Sequence, residues 1–148
     1  MKCILRTATV LTTSLLALAA QASSPVGRWH TIDDKTGETK SVVTIEDAGG
    51  VLRGKVSQIL RKGADPAAKC DKCADDRKDQ TILGMEIIRG GKKVEGKDVW
   101  EEGKILDPSN GKNYSLRLTP IEGGKKMEVR GYIGTPLIGR TQIWIRAN

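Results

Sequence analysis

Residues 125–146 read KKMEVRGYIGTPLIGRTQIWIR. Two runs of alternating side chains, 125–133 and 139–146, flank Gly134-Thr135-Pro136. Alternation with period 2 marks a strand whose two faces meet different surroundings, and a Gly/Pro break between two such runs marks a hairpin. On the first run Met127, Val129, Gly131 and Ile133 oppose Arg130 and Tyr132; on the second Thr141, Ile143 and Ile145 oppose Arg140, Gln142, Trp144 and Arg146.

The same unit recurs back along the chain. Strand-like runs occupy 27–33, 39–46, 51–60, 82–89, 98–106 and 113–120, with glycine-rich turns at 47–50 and 90–91 and Asp107-Pro108-Ser109-Asn110-Gly111 between the last two. Pro sets φ near −65° and Asn-Gly accepts positive φ, so that last segment is a turn. Gly54 inside its run predicts a bulge or bend. Residues 61–80 hold breakers, alternating charges and both Cys70 and Cys73, and read as a loop. No segment keeps a 3.6-residue apolar period over three turns. About eight strands in one chain of 148 residues predict an all-β single domain. An antiparallel up-and-down barrel is favoured over a sandwich, because closure leaves no exposed edge.

Composition narrows the chemistry. Aromatics are 3% and Phe is absent, so the core must come from Val, Ile, Leu and Met. One His excludes any site built on two imidazoles. Residues 1–22 carry Lys2 and Arg6, an apolar run at 8–20, and Ala20-Gln21-Ala22. That order predicts a cleaved export signal ending near Ala22-Ser23, and hence a periplasmic or secreted chain with no transmembrane span. Loss of Lys2 and Arg6 lowers the net charge from +7 to +5 and leaves residues 23–148 as the barrel domain.

Gly27-Arg28-Trp29 at the start of the first strand and Trp144-Ile145-Arg146 at the end of the last resemble the signature of lipocalin-like (calycin) barrels. The resemblance implies a structural cluster of Gly27, Trp29, Trp144 and Arg146 closing one end, with an arginine over an indole. The chain as a whole resembles the bacterial exported family catalogued as domain of unknown function 2147. The matching stretches include Gly54-Lys55-Val56, Cys70-x-x-Cys73 and Asp107-Pro108-x-Asn110-Gly111-Lys112-x-Tyr114. They continue through Val129-Arg130-Gly131-Tyr132-Ile133-Gly134 and Gly139-Arg140-Thr141-x-x-Trp144-x-Arg146. That family implies a small lipocalin-like barrel in the cell envelope and implies no activity.

Sites for chemistry are few. In an oxidising compartment Cys70 and Cys73 are expected to pair as a local disulfide, with metal binding and thiol redox work as the alternatives. Residues 49–56 (GGVLRGKV) and 91–98 (GKKVEGKD) have Gly-x₄-Gly-Lys spacing but lack the Ser or Thr that holds magnesium. Both read as glycine turns entering strands. His30 has no nucleophile elbow to serve and is expected at a rim or on the surface. The pairs Asp33-Asp34, Asp75-Asp76 and Glu101-Glu102 read as solvated carboxylates, and 107–111 lacks the alternating oxygens of a calcium loop. No catalytic residue, metal or cofactor is expected, and scattered lysines without interleaved aromatics argue against nucleic acid.

What remains is the Arg/Tyr/Trp face. Were it turned inward, Tyr114, Arg130, Tyr132, Arg140 and Gln142 would line a pocket for a small amphiphilic or anionic ligand. Turned outward, it would leave a filled barrel that acts by contact with an envelope protein or an anionic surface. A weaker third reading is an enzyme site around Arg130, Tyr132 and Arg140.

Overall fold

The computed structural model describes residues 23–148; the export signal expected at 1–22 lies outside the described residues. Eight strands follow in order: β1 Gly27–Ile32, β2 Thr39–Asp47, β3 Leu52–Ile59, β4 Glu86–Lys93, β5 Trp100–Asp107, β6 Lys112–Ile121, β7 Lys126–Tyr132 and β8 Gly139–Arg146. Each pairs antiparallel with the next, and β8 returns to β1 through Trp29↔Arg146 and His30↔Ile145, closing an up-and-down barrel. Among the described residues no helix is long and apolar enough to cross a membrane.

Period 2 places the core. Leu116 and Leu118 on β6 face Gly131 and Val129 on β7, and Met127 is paired with Trp144 on β8. These join Trp29, Val43, Ile45 and Ile88 in one buried cluster. Each such side chain contributes about 1.5–3 kcal/mol on leaving water, so an interior without Phe still suffices.

One strand differs from the sequence reading. Gly90-Gly91 does not turn the chain but lies within β4, and the hairpin comes at 94–99. Gly90, at φ +87°, is the residue skipped where the β3–β4 register shifts. Gly91 serves close approach: a Cβ on Gly103 would sit 2.8 Å from the Gly91 nitrogen, and one on Gly91 3.3 Å from Leu52 Cβ. The start of the expected strand, 82–85, belongs to the loop, where Gly84 N–H and Met85 O bond the backbone of Val56.

The 61–85 loop is tied down by a buried cation. Arg77, 6% exposed, donates from Nη2 to Asp75 Oδ2 (2.5 Å) and Asn113 Oδ1 (2.7 Å), and from Nη1 to Glu86 O (2.9 Å). Cys70 and Cys73 form a disulfide, and both are buried. Gly111, at φ +72°, packs against the Lys72 carbonyl so closely that no Cβ fits there. The Asn-Gly turn between β5 and β6 is therefore the seat of the disulfide loop.

Candidate ligand-binding cavity

The two ends of the barrel are built for different purposes. At one end Trp29 is fully buried and donates Nε1–H to Pro25 O at 2.7 Å. The Arg146 guanidinium lies 4.1 Å from the Trp29 ring centroid. It donates to the carbonyls of Gly124 (2.6 Å), Ser24 (2.8 Å) and Val26 (2.9 Å). One cation thus ties the segment before β1, the turn between β6 and β7, and the indole into a floor. Gly27 beside it has a φ of +129°, which favours glycine, and a Cβ there would also meet Arg146 Nη1 at 2.6 Å. Trp144 is buried two residues further up β8, on the same inner face.

The other end is open. A cavity of about 790 Å³ runs from Trp144 and Val129 past Val56, Ile87 and Ile105 to a mouth formed by the connections after β3, β5 and β7 and by Lys40 at the start of β2. Its lower wall is apolar apart from the Thr31 and Ser41 hydroxyls, which bond each other at 2.7 Å. Higher up, Gln142 Oε1 accepts from Trp144 Nε1 at 3.4 Å, and the Tyr114 hydroxyl accepts from Asn110 Nδ2 at 3.0 Å. The lip carries Lys40, Arg61, Lys62 and Arg140. Arg140 is paired with Asp34, and Arg61 lies 3.8 Å from Asp33. The amides of Lys35 and Thr36 hydrogen-bond the Asp33 carboxyl and hold it below the ordinary carboxylate range. Asp65 and Asp107, also at the lip, accept hydrogen bonds from the amides of Ala67 and Ser109 within their own turns.

The residues grouped in the sequence as one face do not all meet. Tyr114, Arg140 and Gln142 line the cavity, and Tyr132 borders it as the last residue of β7. Arg130 does not. Its partner across β8 is Thr141, whereas Arg140 is paired with Gly131, so Arg130 faces outward while Arg140 faces in. On the outside Arg130 sits in a groove with Arg117 and Glu128, donating from Nε to Pro136 O (2.6 Å) and from Nη1 to Thr141 Oγ1 (2.8 Å). The enzyme reading around Arg130, Tyr132 and Arg140 loses its geometry for the same reason. His30, opposite Val42 and Ile145 on the outer face, has an Nδ1 with no hydrogen-bond partner.

The sequence reading passed over Thr31 and Ser41, although Thr31 shares the parity of Trp29. It also passed over residues 61–68 of the loop, which wall the mouth and carry no periodic signal.

Residues 27–146 match the family described as an uncharacterized protein conserved in bacteria (DUF2147). The chain belongs to this family. Among solved structures, protein HP1028 from the human pathogen Helicobacter pylori, described as belonging to the lipocalin family, aligns with a TM-score of 0.71 at 20% sequence identity. The alignment covers 83% of this chain and 82% of that one. Likeness at that identity is likeness of fold, so this DUF2147 chain has a lipocalin-like barrel. The search of curated proteins found no match.

Proposed function

We propose that this DUF2147 barrel binds a small amphiphilic ligand, holding its apolar part against Trp144, Val129 and Ile105 and its polar or anionic head at the lip. The observation that carries this reading is the cavity itself. At about 790 Å³ it falls within the roughly 300–1,000 Å³ of small-molecule sites, and its apolar wall with few polar groups has their usual chemistry. Its polarity also runs one way, from indole at the floor to guanidinium at the rim. Arg140 serves the head: its side chain is 68% exposed, and its bond to Asp34 can be exchanged for one to a carboxylate or phosphate. The same reading places the chain in the cell envelope, on the strength of residues 1–22. A filled barrel acting only by surface contact would have no use for an interior of this size.

The test is native mass spectrometry of the chain from Ser23, before and after organic extraction, paired with titration of a hydrophobic fluorescent probe. A discrete bound mass lost on extraction is expected, together with saturable probe uptake. Gln142→Trp, which plugs the cavity above Trp144, should abolish both, and Arg140→Ala should weaken retention of an anionic ligand. A bare polypeptide mass with no saturable probe uptake would sink the proposal.

A further inference from the structure

The turn between β7 and β8 is an apolar tip. Between Arg130 and Arg140 the residues GYIGTPLIG carry no charge. Ile133, Leu137 and Ile138 are 61%, 89% and 69% exposed. Turn tips ordinarily carry Gly, Asn, Asp or Ser, and nothing in the folding of this one requires large aliphatic side chains at its apex. The turn is nevertheless firmly built. Ile133 N–H donates to Ile138 O, Ile138 N–H to Thr135 O, and Leu137 N–H to Thr135 Oγ1. From below, the Arg130 guanidinium braces Pro136 O.

We infer that this tip docks the mouth of the barrel on a phospholipid bilayer. Three observations select that occupant. Ile133 and Ile138 line the cavity as well as being exposed. The apolar wall therefore continues to the tip, and a lipid-like tail could pass between bilayer and cavity without crossing water. This part of the argument rests on the ligand-binding reading above. Next, the Arg140 guanidinium, 68% exposed at the base of the tip, can exchange Asp34 for a lipid phosphate once the tip lies at the acyl boundary. Finally, three side chains on one turn are far short of the roughly 800 Å² per partner of a stable protein interface. Shallow, reversible insertion needs no more than they offer.

The experiment is co-sedimentation of the chain from Ser23, which contains all eight strands and the buried interior cluster, with vesicles of phosphatidylcholine and phosphatidylglycerol at three to one. The wild type should partition to the vesicles. Leu137→Ser and Ile138→Ser should each lose on the order of tenfold, the effect of withdrawing one large aliphatic side chain from an apolar phase. Ile143→Ser, on the outer face of β8 away from the mouth, should bind as wild type does. Leu137→Trp should shift its emission to the blue on vesicle addition and be quenched by brominated lipid.

Absence of wild-type binding, equal binding by the tip variants, or an unshifted Leu137→Trp would overturn the inference. So would self-association lost in Leu137→Ser without vesicle binding, which would assign the tip to a second copy. Probe uptake in solution, measured on the same samples, separates the two readings. Uptake without vesicle binding overturns docking alone, whereas loss of both overturns the cavity reading as well.

Discussion

Replacing Arg146 with Ala should unlatch the closed end of the barrel. Three hydrogen bonds to the carbonyls of Ser24, Val26 and Gly124 would vanish, along with the guanidinium packed over Trp29. A charge-assisted hydrogen bond contributes about 1.5–3 kcal/mol where it is buried. Here the guanidinium is half-buried and the freed carbonyls can take up water, so about 1 kcal/mol each is the appropriate scale. The cation–π contact adds about 0.5–1 kcal/mol at such partial exposure. The sum is about 3–4 kcal/mol. For a domain of this size each kcal/mol moves the midpoint by roughly 3–4 °C, so thermal unfolding followed by circular dichroism should show a fall of about 10–15 °C. Arg146→Lys keeps the charge above the indole but can reach at most part of the carbonyl set, and should fall between wild type and Ala. The coupling to the indole is separable: a double-mutant cycle with Trp29→Phe should return an interaction energy of about 0.5–1 kcal/mol. A shift under about 4 °C for Arg146→Ala, small against the 3–4 °C per kcal/mol scale, would refute the latch. So would a lysine variant indistinguishable from alanine.

Other outcomes can be checked on the same material. Gly111→Ala should cost about 2–4 kcal/mol, because its Cβ collides with the Lys72 carbonyl and φ is positive. Gly37→Ala, with the same φ of +72° but open space around it, should cost only about 1 kcal/mol; comparing their urea midpoints isolates the contact. Asp75 accepts hydrogen bonds from the Arg77 side chain and then from its amide, which hold its pKa far below the ordinary carboxylate range. A depressed pKa stabilises the fold above the unfolded value near pH ~4 and is lost as pH falls through the folded one. Urea midpoints of the wild type should therefore drop below about pH 4, and Asp75→Asn should flatten that slope. Replacing Cys70 and Cys73 together by Ala should cost about 2 kcal/mol for so short a ring. Limited proteolysis should still find the 61–85 loop seated, since Arg77 holds it independently; rapid cleavage there would show the disulfide to be the main anchor.

Much of the fold was legible because alternation is a local signal. The run at 139–146 gave β8 to the residue, and the turns at 47–50 and 107–111 fell where Gly and Pro demanded them. Gly90-Gly91 misled for a physical reason. A glycine pair permits a turn, but it equally permits two strands to touch, and which use is made depends on Gly103, a dozen residues downstream on the neighbouring strand. The latch was legible only through resemblance. Nothing in the alternation of β8 says that Arg146 should reach across the end of a barrel to Ser24.

The cavity was harder, because parity within a strand is local whereas parity between strands is not. Arg130 and Arg140 each sit on a readable face of their own strand. Whether the two faces coincide depends on how the 133–138 connection sets the register, and it sets Arg130 against Thr141. Apolar content also pointed in opposite directions on the two strands. On β7 the aliphatic set Met127 and Val129 faces in, as a core would have it. On β8 the aliphatic residues Ile143 and Ile145 face out, 39% and 42% exposed, while Trp144 and Gln142 face in. A barrel packed solid would reward the reverse arrangement, since Gln142 and Arg140 would then be polar groups buried without water. Their inward position is tolerable only above Trp144, where the interior stops being core and becomes a chamber open at the mouth. The departure from the hydrophobic-inside rule on β8 is therefore itself the sequence-level mark of the cavity. It becomes readable once Trp144 is recognised as the residue that fixes the face.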